Sequence, residues 1–226
     1  ILLSTYFIGF VNILECIRNA NVKKLVYASS SSVYGMNDKV PFSIDDNVDH
    51  PISMYAATKK SNELMAHTYS HLFSIETIGL RFFTVYGPWG RPDMAMFLFT
   101  DAILNGKPIK VFNNGNLSRD FTFIDDIVNG VVATLVNKNT NGKLYNLYNI
   151  GKGTPVELNN FIAEIENTLG KKALRQDMAM QDGDVKRTWS NTHNLKEDYN
   201  YNPTIEVDQG IKQFVNWYKK FYDLKK

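Results

Sequence analysis

The chain has 226 residues, of which 44% are hydrophobic and 21% charged, a balance that can bury the core of one large or two small domains. Its net charge of +2 gives no reason to expect nucleic acid or another polyanion as a partner. Cys16 is the single cysteine, so an intrachain disulfide is excluded, and a reducing, cytoplasmic location is expected.

The first fourteen residues are strongly apolar, but they lack the basic start of a signal peptide and are too few to span a bilayer. They indicate a buried helix at about 4–20, and no membrane association is expected. The chain has no initiator methionine and opens on a helix that feeds a strand. We therefore expect an N-terminally truncated fragment of an α/β protein.

Strands and helices alternate along the rest of the chain, which predicts an α/β fold with a parallel, Rossmann-like sheet between helices. Such sheets bind ligands beyond the carboxyl ends of their strands. The further helices are predicted at about 54–72, 94–104, 125–137, 156–168 and 207–222. The strands are predicted at about 23–29, 75–82, 109–112, 119–122, 145–150 and 172–178.

Local signals refine these elements. Gly170 is predicted to terminate the helix at 156–168, and Gly-Pro and Arg-Pro breakers make 84–93 a loop. Asp125 and Asp126 look like a carboxylate pair, but a helix cap is the favoured interpretation. Trp89, with Phe97 and Phe99, is predicted to belong to the core rather than to form a stacking platform.

A serine cluster and a Tyr-x-x-x-Lys motif carry the chemistry. Ser30 lies in the cluster that closes the strand at 23–29, and Tyr55 precedes Lys59 by four positions. That spacing puts both heads on one helix face, about one turn apart. A free tyrosine has a pKa near 10, and a neighbouring ammonium favours the phenolate. The trio therefore predicts removal of a proton from a hydroxyl group as hydride leaves its carbon.

The Tyr-x-x-x-Lys spacing alone also arises by chance on many helices, and the serine-terminated strand upstream gives it weight. With that strand, the chain resembles the extended short-chain dehydrogenases/reductases of the NAD-dependent epimerase/dehydratase family, and within them the UDP-glucuronate 4-epimerases. The likeness covers residues 9–222. The stretches that carry it are 27–35, 55–60, 81–94 and 119–126.

The resemblance implies an NAD cofactor and a UDP-sugar substrate. The implied reaction is reversible inversion at C4 of a UDP-hexuronate, from UDP-glucuronate to UDP-galacturonate, through a 4-keto intermediate, in polysaccharide biosynthesis. Two alternatives stay open: an inactive or partial fragment of such an enzyme, and a UDP-sugar 4-epimerase, dehydratase or reductase that acts on another sugar. No metal site is expected.

The resemblance also assigns the catalytic roles. Tyr55 would be the base, Lys59 its charged partner and a ligand of the nicotinamide ribose, and Ser30 a hydrogen-bond partner of the sugar O4. Phe83 and Ser29 would border the cofactor together with Tyr55 and Lys59.

Further residues are implied to contact the substrate. Ser31 and Ser32 would hold the sugar carboxylate, and Thr84 would donate to the sugar or the diphosphate. The implied contacts of the nucleotide are Arg119 with the diphosphate, Phe112 with the uracil and Asp184 with the uridine ribose, while Arg91 would orient the sugar end. For Arg119 a solvent-exposed surface charge is the alternative, and Arg81 is as well explained by a structural ion pair as by a ligand.

The serines separate sister reactions. Related 4,6-dehydratases carry an Asp-Glu pair where this chain has Ser31-Ser32, and related decarboxylases carry a glutamate in place of Ser32. Acids at these positions are needed for elimination, whereas serine hydroxyls are neutral donors suited to a carboxylate that stays attached. The sequence therefore favours epimerisation.

The resemblance implies an NAD-binding domain over 1–83, to which 119–150 returns, and a nucleotide-sugar-binding domain over 84–118 and 151–226. The chain has no complete Gly-rich dinucleotide turn; Gly151-Lys152-Gly153 is interpreted as a simple turn. A homodimer through the first helix and the Tyr55 helix is also implied. The apolar face of Phe7, Phe10, Val11 and Leu14 is consistent with that dimer or with packing on its own sheet.

Overall fold

The computed structural model describes residues 3–181 and 184–224. Its central sheet has three parallel strands in the order β1-β2-β7, formed by Lys24–Ser30, Glu76–Phe82 and Tyr145–Ile150. Ser30 lies opposite Phe82, and Phe82 lies opposite Ile150. The carboxyl ends of all three strands therefore meet at one edge, and the predicted α/β fold with a parallel sheet is confirmed.

Seven α-helices are described within residues 3–181 and 184–224. A π-helical segment, Leu3–Ile8, runs directly into the first of them. In chain order, α1 to α7 are Gly9–Asn19, Met54–Phe73, Ala95–Leu104, Ile124–Val136, Leu158–Leu169, His193–Tyr199 and Val207–Phe221. Gly170 terminates α5 in the left-handed conformation, as the sequence predicts.

Six short strands form three two-stranded sheets outside the central one. Two of these sheets are parallel: β3 Thr84–Tyr86 with β6 Phe121–Phe123, and β4 Pro108–Phe112 with β9 Leu174–Met178. The third is antiparallel, β5 Ser118–Arg119 with β8 Val156–Glu157. Strands β3 and β8 and helix α6 are not predicted from the sequence, which instead predicts residues 156–157 of β8 as the start of the helix at 156–168. The strand expected at 119–122 is interrupted at Asp120.

Two large apolar clusters form the core. The larger lies among α3, α5, α7 and the small strands, and Phe161, Phe214 and Phe123 are buried in it. The smaller packs on the central sheet and includes Ile78 and Tyr199. Phe123 falls in the predicted NAD-binding domain but packs in the larger cluster. Tyr199 falls in the predicted nucleotide-sugar-binding domain but packs in the smaller cluster, on the central sheet. The domain boundaries therefore stay a prediction.

The first turn of α4 corrects one prediction. Asp125 and Asp126 lie inside that turn, and Phe123, which precedes the helix, makes no side-chain cap. The buried Asp126 carboxylate instead accepts the backbone N–H groups of Thr204 (3.1 Å) and Ile205 (2.9 Å). The capping prediction is wrong because this carboxylate is needed to satisfy a chain segment 78 residues away.

The apolar face of α1 is divided between the interior and the surface. Leu14 is buried, and the Phe10 ring lies 5.2 Å from that of Tyr27 on β1, whereas Phe7 is exposed. Much of this face therefore packs on its own sheet. No helix among the described residues combines the length and the apolar character that crossing a bilayer requires.

Candidate active site

The Tyr-x-x-x-Lys motif occupies the start of α2. Ser53 caps the helix by accepting the backbone N–H of Ala56 at 3.1 Å, which places Tyr55 in the first turn. The Lys59 ammonium donates to the carbonyl of Ala28 on β1 at 3.0 Å and lies 5.7 Å from the ring centroid of Tyr55. Burial lowers the pKa of Lys59.

Ser30 faces the same site from the end of β1. Its hydroxyl donates to the Ser32 hydroxyl at 3.0 Å and accepts the Ser32 backbone N–H at 3.1 Å, so the chain turns sharply into a short 3₁₀ segment, Ser31–Tyr34. Ser30 and Tyr55 both line one cleft of about 480 Å³. The structure therefore brings the predicted catalytic groups together at the carboxyl edge of the sheet.

The cleft also collects most of the other predicted contacts. Ser29, Ser31, Ser32, Phe83, Thr84 and Arg91 all line it. The exposed Arg91 guanidinium lies 3.1 Å from the Asp93 carboxylate, on the loop that follows β3. Among the described residues that line this cleft, none is an aspartate or a glutamate, and Arg91 is the one permanently charged side chain.

Trp89 departs from its predicted place in the core. It lies on the rim of the cleft with 75% of its surface exposed and a backbone φ of 62°. Its ring contacts those of Trp217 and Phe221 on α7, at centroid distances of 5.3 and 5.1 Å. The core prediction is wrong for Trp89 because its loop projects beyond the apolar cluster, although Phe99 is buried as expected.

The predicted nucleotide contacts lie outside the group that lines the cleft. Arg119 donates to Asp184 at 2.6 Å, and burial lowers the pKa of the guanidinium although the Asp184 carboxylate opposes that change. Asp184 lines a second cavity together with Lys186 and Arg187. Phe112 ends β4 and is half-buried against the larger apolar cluster. Asp182 and Gly183, next to Asp184, lie outside the described residues.

A buried ion pair joins helix α2 to strand β2, and its member on α2, Glu63, is not predicted from the sequence. Arg81 on β2 donates to Glu63 on α2 through two nitrogens, each 2.9 Å from a carboxylate oxygen. Burial alone would lower the pKa of Arg81, but the hydrogen bonds and charge of Glu63 raise it. Of the two interpretations that the sequence leaves open for Arg81, the structure shows the ion pair. Glu63 follows Lys59 by four residues, a spacing that indicates a shared helix face.

Ser29 and Tyr6 lie close to the motif on other elements of the fold. The Ser29 hydroxyl donates to Glu63 at 2.6 Å, so its predicted contact with a cofactor stays a prediction. Tyr6, in the π-helical segment, stands edge-on to the Tyr55 ring at 5.8 Å, and the Lys59 ammonium lies 5.0 Å from the ring centroid of Tyr6.

Among residues 3–181 and 184–224, no group of three or more His, Cys, Asp or Glu side chains is placed to hold a metal ion.

Residues 2–151 match the model of the NAD dependent epimerase/dehydratase family. The chain belongs to this family. The predicted NAD-dependent enzyme is thereby confirmed at the level of the family. The central parallel sheet and the Tyr-x-x-x-Lys helix both lie within the matched residues.

Curated relatives are similar over nearly the whole chain. Protein CapI of Staphylococcus aureus is 52% identical over 95% of this chain and 69% of its own length. UDP-glucuronate 4-epimerase 5 of Arabidopsis thaliana is 47% identical over 95% of this chain and 52% of its own length. The chain thus spans between about half and about two thirds of the relatives it matches.

A solved structure shows the same fold. The UDP-glucuronic acid 4-epimerase of Bacillus cereus, in complex with UDP-glucuronic acid and NAD, superimposes with a TM-score of 0.90 at 32% identity. The match covers 97% of this chain and 69% of that chain.

Proposed function

We propose that the protein catalyses NAD-dependent 4-epimerisation of a UDP-hexuronate, interconverting UDP-glucuronate and UDP-galacturonate through a 4-keto sugar. The observation that carries the proposal is the cleft itself: Ser30 and Tyr55 line it, and the Lys59 ammonium lies beside the Tyr55 ring. The names of the Arabidopsis and Bacillus relatives support the same activity.

The residues at the carboxyl edge of the sheet fit the nicotinamide end of NAD. An ammonium has three N–H donors, and the bond from Lys59 to Ala28 uses one of them, which leaves donors for a ribose hydroxyl. Phe83 offers an apolar ring at the cleft wall. NAD bound beside these groups would supply the hydride acceptor and donor at C4 of the sugar.

The side chains of the chain itself move and hold the proton. The ammonium of Lys59 stabilises negative charge on the Tyr55 oxygen, which takes the proton of the sugar 4-hydroxyl as C4 is oxidised. Ser30 holds the same sugar oxygen through its hydroxyl. When hydride returns to the opposite face of C4, Tyr55 gives the proton back, so both half-reactions use one acid–base pair.

The lining of the cleft favours epimerisation of an acidic sugar. Elimination across C5–C6 needs a carboxyl group, and the described lining residues include none. Ser31, Ser32 and Thr84 offer neutral hydroxyl donors, which hold a carboxylate without protonating it. Arg91 brings the cationic group of the lining and would orient the sugar end.

The remaining assignments belong to the same proposal. Arg119 would bind the diphosphate, Asp184 the uridine ribose, and Phe112 the uracil. A homodimer would form through α2 and through α1 with the π-helical segment that precedes it. The exposed side chains of these elements include Phe7, Ile13, Leu64 and Leu72. The enzyme would act in the cytoplasm, supplying a sugar for polysaccharide synthesis.

The test uses the complete protein encoded by the reading frame, incubated separately with UDP-glucuronate, UDP-glucose and dTDP-glucose. Conversion of UDP-glucuronate to UDP-galacturonate, followed by chromatography and NMR of the anomeric protons, is expected to be the fastest reaction. Faster turnover of UDP-glucose would contradict the proposed acidic substrate and indicate a neutral sugar. Formation of a 4-keto-6-deoxy sugar would contradict epimerisation and indicate a dehydratase. Heat-denatured protein is expected to release NAD.

A further inference from the structure

We infer that Glu63 is a positioning residue for this reaction: its buried carboxylate sets the orientation of the catalytic helix α2 against the strand that carries Ser30. The inference rests on the proposed function, since it concerns the same Tyr55 base. Glu63 and Arg81 are each 1% exposed, and the carboxylate accepts from Arg81 and from Ser29.

The bonds of Glu63 reach both strands beneath the helix. The Ser29 hydroxyl donor lies on β1, one residue before Ser30, and the Arg81 donors lie on the neighbouring β2. One carboxylate on α2 is therefore tied to two adjacent strands within 2.6–2.9 Å. Two separate attachment directions restrict rotation of the helix about its axis as well as sliding along it.

The same network continues to the turn after the serines. Arg81 also donates to the Tyr34 hydroxyl at 3.1 Å, and Tyr34 donates to the Asn149 side chain at the end of β7 at 2.6 Å. Tyr34 ends the 3₁₀ segment that begins at Ser31. The network therefore fixes the helix that carries Tyr55 and the turn that carries the serines relative to a single guanidinium.

Helix geometry carries this restraint to the catalytic groups. Tyr55, Lys59 and Glu63 are spaced by four, so they follow one another along one face over about 12 Å. A rotation of α2 at Glu63 would displace the Tyr55 hydroxyl and would also break the bond from Lys59 to Ala28. A misplacement of about 1 Å is enough to cost about a hundredfold in rate.

A buried ion pair is weak evidence for stability, because replacing both partners by apolar side chains is often neutral or stabilising. Replacing both partners of the pair therefore distinguishes a positioning role of Glu63 from a stabilising one. Glu63→Gln breaks the charge pair, whereas Glu63→Met with Arg81→Met removes the polar network and keeps the packing. Asp126→Asn is the matched control: this carboxylate on α4 is also buried, but it accepts its hydrogen bonds from the backbone N–H groups of Thr204 and Ile205.

The experiment measures kcat, KM and melting temperature for these variants of the complete protein, with UDP-glucuronate, and amide hydrogen exchange at residues 54–60. We expect both Glu63 variants to lose between about tenfold and a hundredfold in kcat with KM within about twofold. The double variant should regain stability but not kcat. Asp126→Asn should lower the melting temperature while kcat stays within about twofold.

Recovery of kcat together with stability in the double variant would overturn the inference, as would normal kcat in both variants. If the double variant does not fold, amide hydrogen exchange at residues 54–60 tests the inference instead. Faster exchange there in Glu63→Gln than in Asp126→Asn supports the positioning role of Glu63, and equal exchange refutes it. Tyr55→Phe is measured alongside. Full activity in that variant would remove the proposed function itself, which is a different result from an inert Glu63.

Discussion

The cleft at Tyr55 and the pair formed by Arg119 and Asp184 hold their side chains in opposite ways. In the cleft, Ser30 and Tyr55 point from the ends of regular elements toward open space, and the buried pair of Glu63 and Arg81 lies behind them. Arg119 instead donates directly to Asp184 at 2.6 Å. In the cleft the Ser30 hydroxyl is engaged by a neutral neighbour, Ser32, whereas the second region pairs the opposite charges of Arg119 and Asp184.

The difference shows what must change when an anionic ligand arrives. In the cleft, a sugar oxygen competes with the neutral Ser32 hydroxyl for the proton of Ser30. A diphosphate that binds Arg119 has to compete with the Asp184 carboxylate for the same donors, and the guanidinium is largely withdrawn from water. Three substitutions test the two regions, from the largest expected effect to the smallest.

Tyr55→Phe removes the proposed proton acceptor from the cleft and leaves the ring of residue 55 in place. We expect kcat for UDP-glucuronate epimerisation to fall by about 10³-fold, because general base catalysis contributes about 10²–10⁴. Tyr69→Phe is the control, since it removes a phenol on the same helix that contacts Glu15 and not the cleft. Steady-state kinetics measures both variants. Equal losses of kcat would mean that the substitutions act by disturbing helix α2 and not by removing the Tyr55 phenol.

Asp120→Asn tests what anchors the second region. The fully buried carboxylate accepts the backbone N–H groups of Lys152 (2.8 Å), Gly153 (3.1 Å) and Ser190 (2.9 Å). An amide cannot accept all of these donors, so we expect a loss of about 3 kcal/mol in the free energy of unfolding.

Chemical denaturation checks this expectation, with Asp125→Asn as the control. Asp125 is exposed in the first turn of α4. Its substitution should cost less than about 1 kcal/mol through the helix dipole alone. A cost as small for Asp120 would show that the segments at 151–153 and 190 are held by other contacts.

Arg119→Met tests the binding role of the paired arginine. We expect UDP to bind between about tenfold and a hundredfold more weakly, as loss of a charge-assisted contact to a diphosphate implies, with kcat little changed. Arg175→Met provides a control, because this more exposed arginine pairs with Asp177 on β9. Unaltered UDP affinity in calorimetry would leave Arg119 as a structural partner of Asp184.

The sequence predicts the cleft well because its groups lie on regular elements. The spacing of Tyr55 and Lys59 determines a shared helix face, and the end of an apolar strand determines where Ser30 lies. Glu63 continues the same spacing, but its partner Arg81 comes from another strand, and no local pattern shows that pairing. The prediction for Asp126 fails for the same reason: the backbone N–H donors that its carboxylate accepts, those of Thr204 and Ile205, lie far along the chain.

Irregular segments resist prediction for a different reason. Trp89 is an apolar residue in a sequence rich in aromatics, and composition assigns it to the interior. Its position depends on the path of a loop with a left-handed residue, which is set by contacts with α7. The share of the fold that depends on hydrophobic periodicity was therefore predictable, and the share that depends on loop path was not.

Tyr55 lies close to the amino end of α2, where the helix carries a partial positive charge. Peptide dipoles aligned along a helix leave a partial positive charge at its amino end, which favours an anion there by about 0.3–1 kcal/mol. Ser53 begins the helix two residues earlier, so the phenolic oxygen belongs to a residue inside the turn where this field is strongest. The amino end of a twenty-residue helix thus lies beside the residue that takes up negative charge in the proposed reaction.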